Sequence, residues 1–229
     1  MKASSKGEAF FISISDYTAP MTPAEKWKVI SPVLLKRYKR DATFLDFKNP
    51  FELLIAVILS AQTTDDGVNK VTPILFKKYP TPKKLATASL ADLEKILHPV
   101  GYYRAKARYV KRTAEIVAKE FKNVVPQDEI QLRTLPGVGR KTAVAVLSNA
   151  FGMNIGIPVD THVIRFVQRF GISKSKNPDV IERELLAIIP KKDWRRAGYA
   201  IKEYGRKEGK ARPYNPLVDP VIQKLKQHE

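Results

Sequence analysis

The chain has 229 residues, 44% of them apolar, enough for one or two packed domains. Its 41 Lys and Arg against 23 Asp and Glu leave a net charge of +18, so a polyanionic partner is expected, nucleic acid ahead of an anionic membrane surface. Cysteine is absent, which excludes disulfides, thiolate zinc sites and cysteine-held iron–sulfur clusters, and His98, His162 and His228 show no metal-ligand spacing.

Residues 1–21 read as an N-terminal extension, in which Phe10, Ile12 and Ile14 alternate with smaller or polar residues as in a short extended segment. No signal-peptide pattern follows Met1, and the longest unbroken apolar run, Leu53 to Leu59, falls far short of the ~20 residues of a spanning helix. An intracellular protein of the cytoplasm (nucleoid) or nucleus, with no membrane partner, is expected. From Thr22 onward the pattern predicts helix after helix. The first covers 24–39, with Pro32 expected to kink or split it. Asn49 and Pro50 open the second as N-cap and first-turn residue, and its body from Phe51 to Ser60 is apolar nearly all round, the pattern of a helix buried on every side.

Shorter helices are expected at 66–78 and 89–97, separated by Pro80-Thr81-Pro82. Residues 102–121 form the clearest amphipathic helix. Tyr103, Ala107, Val110, Ala114, Val117 and Phe121 recur at intervals of three and four, with Arg104, Arg108, Lys111, Arg112 and Lys119 over the rest. Helices at 128–134 and 140–151 flank a glycine hairpin, and three more follow at 161–170, 178–189 and 193–207. No strand ladder is evident, so the fold class is all-α. The glycine and proline punctuation from Gly152 to Pro158 marks a candidate domain boundary.

The hairpin carries the chemistry. In Leu135-Pro136-Gly137-Val138-Gly139-Arg140-Lys141-Thr142-Ala143, Val138 can plug the gap between two helices while both glycines leave N–H groups exposed beside a helix N-terminus. That device grips a nucleic-acid backbone without reading its sequence. A phosphate-loop NTPase is excluded, because Arg140 rather than glycine precedes the Lys-Thr pair and no strand leads into the loop. Lys141 has three available roles: solvated charge, phosphate contact or nucleophile. A first-turn position among other cations disfavours its proton, and desolvation by a bound nucleotide adds to that. An ordinary lysine pKa of about 10.4 would have to fall by ~2–3 units to give free amine near neutrality. Asp160, in Val159-Asp160-Thr161-His162, suits an N-cap, and capping is compatible with catalysis because helix N–H donors keep a carboxylate ionised and aimed. His162 reads as structural or phosphate-contacting rather than as a general base.

These segments resemble the signature of helix-hairpin-helix base-excision DNA glycosylases. The stretch Asn49-Pro50-Phe51-Glu52-Leu53-Leu54-Ile55-Ala56-Val57-Ile58-Leu59-Ser60-Ala61-Gln62-Thr63-Thr64-Asp65 is similar to its counterpart in the endonuclease III family. The likeness runs from about residue 24 to 212. It implies a six-helix domain over 43–153, containing the helix-hairpin-helix at 128–151, and a second helical domain from 22–42 plus 154–229, with a substrate cleft between them. It places Lys141 on the family's catalytic lysine and Asp160 on its catalytic aspartate. A lysine there implies a bifunctional glycosylase and abasic-site lyase acting on damaged, oxidised-pyrimidine bases through a lysine Schiff base and β-elimination. The expected partner is double-stranded DNA with damaged bases or abasic sites, bound by a monomer through Gln62, Tyr102, Gly137, Val138, Gly139, Arg140, Thr142 and His162. Gln62 matches the residue that fills the gap left by an extruded nucleotide.

Two departures stand out. The positions of the family's four cluster cysteines fall on Gly209, Pro216, Asp219 and Leu225, so no metal and no [4Fe–4S] cofactor is expected. Tyr214, Pro216, Leu217, Val221 and Leu225 are expected to pack as an apolar substitute, with the basic residues from Arg206 to Arg212 on DNA. Tyr102 follows Gly101 where many relatives carry leucine, and either stacks on the opposite base or begins a helix. Two other readings stay open: a monofunctional glycosylase for uracil, mismatched thymine or alkylated bases, and a non-catalytic DNA-binding module.

Overall fold

A computed structural model describes residues 21–209 and 219–226, and every regular element among them is helical. The first helix, α1 (Pro23–Arg37), starts at a capping box. The Thr22 hydroxyl accepts the Glu25 N–H at 3.3 Å, and the Glu25 carboxylate accepts the Thr22 N–H at 2.7 Å. Contrary to a split at Pro32, α1 runs through it unbroken. Pro32 and Lys28 are both exposed, so the Lys28 carbonyl that loses its helical partner is open to water.

Helix α2 (Pro50–Leu59) opens with Asn49 Oδ1 accepting the Glu52 N–H at 3.0 Å. Every residue from Phe51 to Leu59 is buried, as its all-round apolar pattern requires. Glu52 is tolerated there because its carboxylate accepts the Lys48 N–H at 2.7 Å. Around α2 gather α3 (Asp65–Lys78), α4 (Pro82–Ala86), α5 (Leu90–Leu97), α6 (Tyr103–Lys119), α7 (Glu129–Arg133) and α8 (Arg140–Phe151). Their apolar faces join one core from Leu45 to Leu147. Helix α4 falls where the proline pair suggested only punctuation. Thr81 caps it and Pro82 takes its first turn, so the prolines start a helix rather than end one.

A second core joins the two ends of the chain. Trp27, Ile30 and Leu34 of α1 pack with apolar residues of α9 (Thr161–Arg169), α10 (Pro178–Ile188) and α11 (Trp194–Lys207), and with Val221 and Ile222 of α12 (Pro220–Lys226). Tyr204 sits among Tyr38, Phe166 and Phe170 with ring centroids 5.4–5.9 Å away. Its hydroxyl donates to Asp219, whose other oxygen accepts the Val221 N–H at 2.8 Å, so one carboxylate ties α11 to the start of α12. Of the expected apolar substitute for the cluster, Val221 is buried in this core. Tyr214, Pro216, Leu217 and the side chain of Leu225 lie outside the described residues, as do His228 and the extension to residue 20.

The two lobes are bolted at three places. Arg140, at the start of α8, donates from Nε and Nη2 to the two carboxylate oxygens of Glu182 on α10 at 3.1 and 3.0 Å, and its Nη1 to Glu129 on α7. Gly156 passes so close that a Cβ there would lie 2.1 Å from Glu182 Oε1. Asn149 of α8 accepts the Thr43 N–H at 2.9 Å and donates to the Tyr199 hydroxyl on α11. Asp65 of α3, only 8% exposed, pairs with Lys202 at 3.0 Å and Arg206 at 2.7 Å, both on α11.

Replacing Arg140 by alanine strips the nearly buried Glu182 of its cation. Stability should fall by on the order of 3 kcal/mol, roughly 6–12 °C in Tm, as followed by circular dichroism. The double variant Arg140→Met/Glu182→Leu should recover part of that loss, because apolar isosteres carry no desolvation cost. A Tm within ~1 °C of wild type for Arg140→Ala would dismiss the clasp as a stabilising element.

Candidate active site

Between the lobes opens a cavity of about 980 Å³ whose walls include Ser60 and Gln62 from the first lobe and Asp160, His162 and Arg206 from the second. Lys141 reaches it from the start of α8. The cleft deepens into a recess of about 70 Å³ lined by Thr43, Leu45 and Tyr199, where Lys141 and Asp160 again both contribute to the wall. Two residues 19 apart in sequence on different lobes thus face one space.

The hairpin sets Lys141. Gly137 holds φ at +79°, and a Cβ there would meet Ile58 Cγ2 at 3.2 Å and Tyr109 Cδ2 at 3.3 Å, so the turn demands glycine. Val138 is buried as the plug, its N–H donating to the Leu135 carbonyl at 3.1 Å. Gly139 differs: its φ is −95°, and a Cβ would meet nothing within 4 Å. The fold itself makes no steric demand for glycine there, so the open space favours close approach from outside. The first helical bond of α8 is Ala143 N–H to the Gly139 carbonyl, and no side chain caps the helix. The N–H groups of Arg140, Lys141 and Thr142 therefore lack intrahelical partners at the positive end of the helix dipole.

The Arg140 guanidinium is committed to Glu129 and Glu182, and the Thr142 side chain is buried, so what these two can offer an anion is their backbone N–H. Lys141 is exposed and makes no hydrogen bond or ion pair among the described residues. Asp160 caps α9 through Oδ1, which accepts the N–H groups of His162 at 2.8 Å and Val163 at 3.1 Å. Among the described residues Oδ2 accepts no hydrogen bond, and Asp160 lines the cleft. Capping fixes the carboxylate in direction without occupying both oxygens.

His162 packs on the backbone of α11, where a Cβ at Gly205 would lie 2.5 Å from its Nδ1. Burial pushes its pKa below the ordinary histidine value, against a smaller upward pull from Asp160. The Arg165 guanidinium lies 3.1 Å from Nδ1 and can only donate, so the neutral ring accepts at Nδ1 and carries its proton on Nε2.

Gln62 and Tyr102 stand on the first lobe. Both are exposed and both hold left-handed backbone, at φ 52° and 59°. Tyr102 occupies the N-cap position of α6 without a side-chain cap bond, and its side chain is 71% exposed. Sequence reading missed three contributors nearby. Lys106 is buried, with Nζ donating to the Ala61 carbonyl at 2.5 Å and Thr63 Oγ1 at 2.8 Å, and its burial holds the pKa down to about 8. Its place four residues before Val110, on the apolar stripe of α6, was the available signal. Asp65 and Lys202 also line the cleft, while the Arg40, Lys202 and Arg206 cations surround the Phe44 ring at 3.9–5.3 Å. Arg206, expected on DNA, pairs with Asp65; Lys210 to Arg212 lie outside the described residues.

Residues 55–191 match the model of the HhH-GPD superfamily base excision DNA repair proteins. The chain is 44% identical to endonuclease III of Synechocystis sp. over 174 residues, covering 76% of this chain and 80% of that protein. It is 41% identical to endonuclease III of Bacillus subtilis over 175 residues, with the same two coverages. Its fold is similar to that of a trapped endonuclease III–DNA covalent intermediate with an estranged adenine, at a TM-score of 0.84 and 37% identity, covering 91% of this chain and 99% of that one. A lysine and an aspartate facing one interlobe cleft behind a glycine hairpin, on a chain alike over most of its length, place this protein in the endonuclease III family of helix-hairpin-helix base excision repair proteins.

Proposed function

We propose that the protein is a bifunctional DNA glycosylase and abasic-site lyase that removes oxidised pyrimidines from duplex DNA inside the cell. One observation carries the reading: Lys141 and Asp160 face the same cleft, and Lys141 stands among the N–H groups of the first turn of α8 that have no intrahelical partner. Those groups take a backbone phosphate, which sets the adjacent nucleotide at the cleft mouth. C1′ is unreachable in a stacked duplex, so the nucleotide turns out into the cavity. The Lys141 amine attacks C1′ as the glycosidic bond breaks, and the base leaves with the electron pair and takes a proton from water. Asp160 Oδ2 offsets positive charge growing at the sugar and takes the proton that the amine sheds. Asp160 returns that proton to O4′ as the sugar opens to a Schiff base; water then takes a C2′ proton while the 3′ phosphate leaves with the electron pair of its C3′–O bond, and water added to the imine carbon frees Lys141. That one relative was captured covalently joined to DNA supports this course.

The reading includes no iron–sulfur cluster. The chain has no cysteine, and two of the four corresponding positions are built for other work. A Cβ at Gly209 would lie 2.4 Å from Tyr204 Cε1, and Asp219 is engaged in capping α12. These residues do not fit a cluster.

Borohydride with an abasic duplex should trap a covalent adduct with the wild-type protein and none with Lys141→Ala. Base release without any adduct would instead mark a monofunctional enzyme. Asp160→Asn should slow single-turnover base release by about 10²–10⁴-fold while undamaged-duplex affinity stays within about twofold. Parallel loss of both would reduce Asp160 to a structural cap. The logarithm of affinity should fall against that of salt with a slope on the order of −4, as about four to five neutralised phosphates require. A flat response would remove the hairpin and basic surface as the footprint. Purified protein should carry iron far below one atom per chain, measured by elemental analysis.

A further inference from the structure

The buried ammonium of Lys106 is used by no step above, and its surroundings explain why a lysine is kept there. The residue is 4% exposed, on the apolar stripe of α6, where an uncharged side chain would avoid the desolvation of a cation. What it holds is the turn after α2. Thr63 N–H closes that turn on the Ser60 carbonyl at 3.2 Å, and Gln62 at its apex takes a positive φ without being glycine. Such backbone persists only when its surroundings over-determine it. Lys106 Nζ grips the turn on both sides of Gln62, at the Ala61 carbonyl and Thr63 Oγ1. The Lys106 backbone N–H meanwhile donates to the Tyr102 carbonyl at 3.1 Å, closing the first turn behind the other left-handed residue. Gly101 links the two turns, since a Cβ there would come within 3.3 Å of the Gln62 carbonyl oxygen and 3.6 Å of Thr63 Oγ1.

We propose that Lys106 is a positioning residue that ties Gln62, through its side chain, and Tyr102, through its backbone, into one rigid unit that enters the duplex when a nucleotide is extruded. This rests on the reading of the cleft as a nucleotide-extruding site. The left-handed turns aim the two exposed side chains, and the ammonium keeps that aim while stacked bases push back. A methionine of similar length would fill the volume but leave the Ala61 carbonyl and Thr63 hydroxyl without their donor.

The test uses the full chain and a duplex holding a tetrahydrofuran abasic analogue opposite 2-aminopurine, whose fluorescence rises on unstacking. Wild-type protein at saturation should give a strong rise. Lys106→Met should lose most of it and bind this duplex about tenfold more weakly, with undamaged-duplex affinity within about twofold and an unchanged circular dichroism spectrum. Thr63→Val removes one acceptor alone and should give a smaller defect of the same kind. Lys106→Met/Gln62→Ala should be no worse than the poorer single variant, because both remove one unit. Wild-type fluorescence in Lys106→Met, equal loss on undamaged duplex, or additive defects in the double variant would each overturn the proposal. Failure of the catalytic reading shows separately, as absence of a borohydride adduct with the wild type, on which the fluorescence does not depend.

Discussion

The Arg140 guanidinium, held between Glu129 and Glu182, sets the geometry on which the cleft depends. It belongs to the first turn of α8, one residue before Lys141, and its partner Glu182 belongs to the other lobe. A planar fork bonded to both oxygens of one carboxylate has little freedom to rotate. Fixing Arg140 on the second lobe therefore fixes the turn from which Lys141 emerges. Gly156 and the Ile157 N–H, which donates to Glu182 at 3.2 Å, close the remaining space around the carboxylate. The same contact that joins the lobes thus directs a side chain into the gap between them.

Several cations work inside the molecule. Arg140 and Arg206 bridge the lobes, Lys106 holds a turn, and Arg165 donates to the Gly209 carbonyl at 2.8 Å while contacting His162. In the proposed reading, an anion at the hairpin would meet the backbone N–H groups of Arg140, Lys141 and Thr142, which the helix already fixes, so no side chain need be ordered there.

Local signals made most of the architecture legible. The unbroken apolar run of α2, the Asn49-Pro50 cap and the three-four spacing of α6 each depend on near neighbours in the chain, and each appears as the pattern requires. The hairpin was legible for the same reason, since Gly137, Val138 and Gly139 act within one turn. Pro32 does not split α1 because exposure decides whether a lost helical bond matters, and exposure is a tertiary property. The Pro80-Thr81-Pro82 segment was read as a break because proline ends helices and starts them alike; only Thr81 as cap separates the two. What stayed hidden was long-range pairing. Arg140 with Glu182 and Asp65 with Arg206 join residues 42 and 141 positions apart, and nothing local marks them as partners. Lys106 escaped because a lysine on an amphipathic helix is assigned to the solvated face, although its spacing put it on the other.

The hydroxyl-to-carboxylate link between Tyr204 and Asp219 anchors the last described helix by ordinary proton-sharing contacts, in a chain devoid of sulfhydryl groups. Peroxide has no thiol here to oxidise, and chelators have no structural metal–sulfur centre of that kind to dismantle. Thiol-directed reagents would therefore leave this anchor intact.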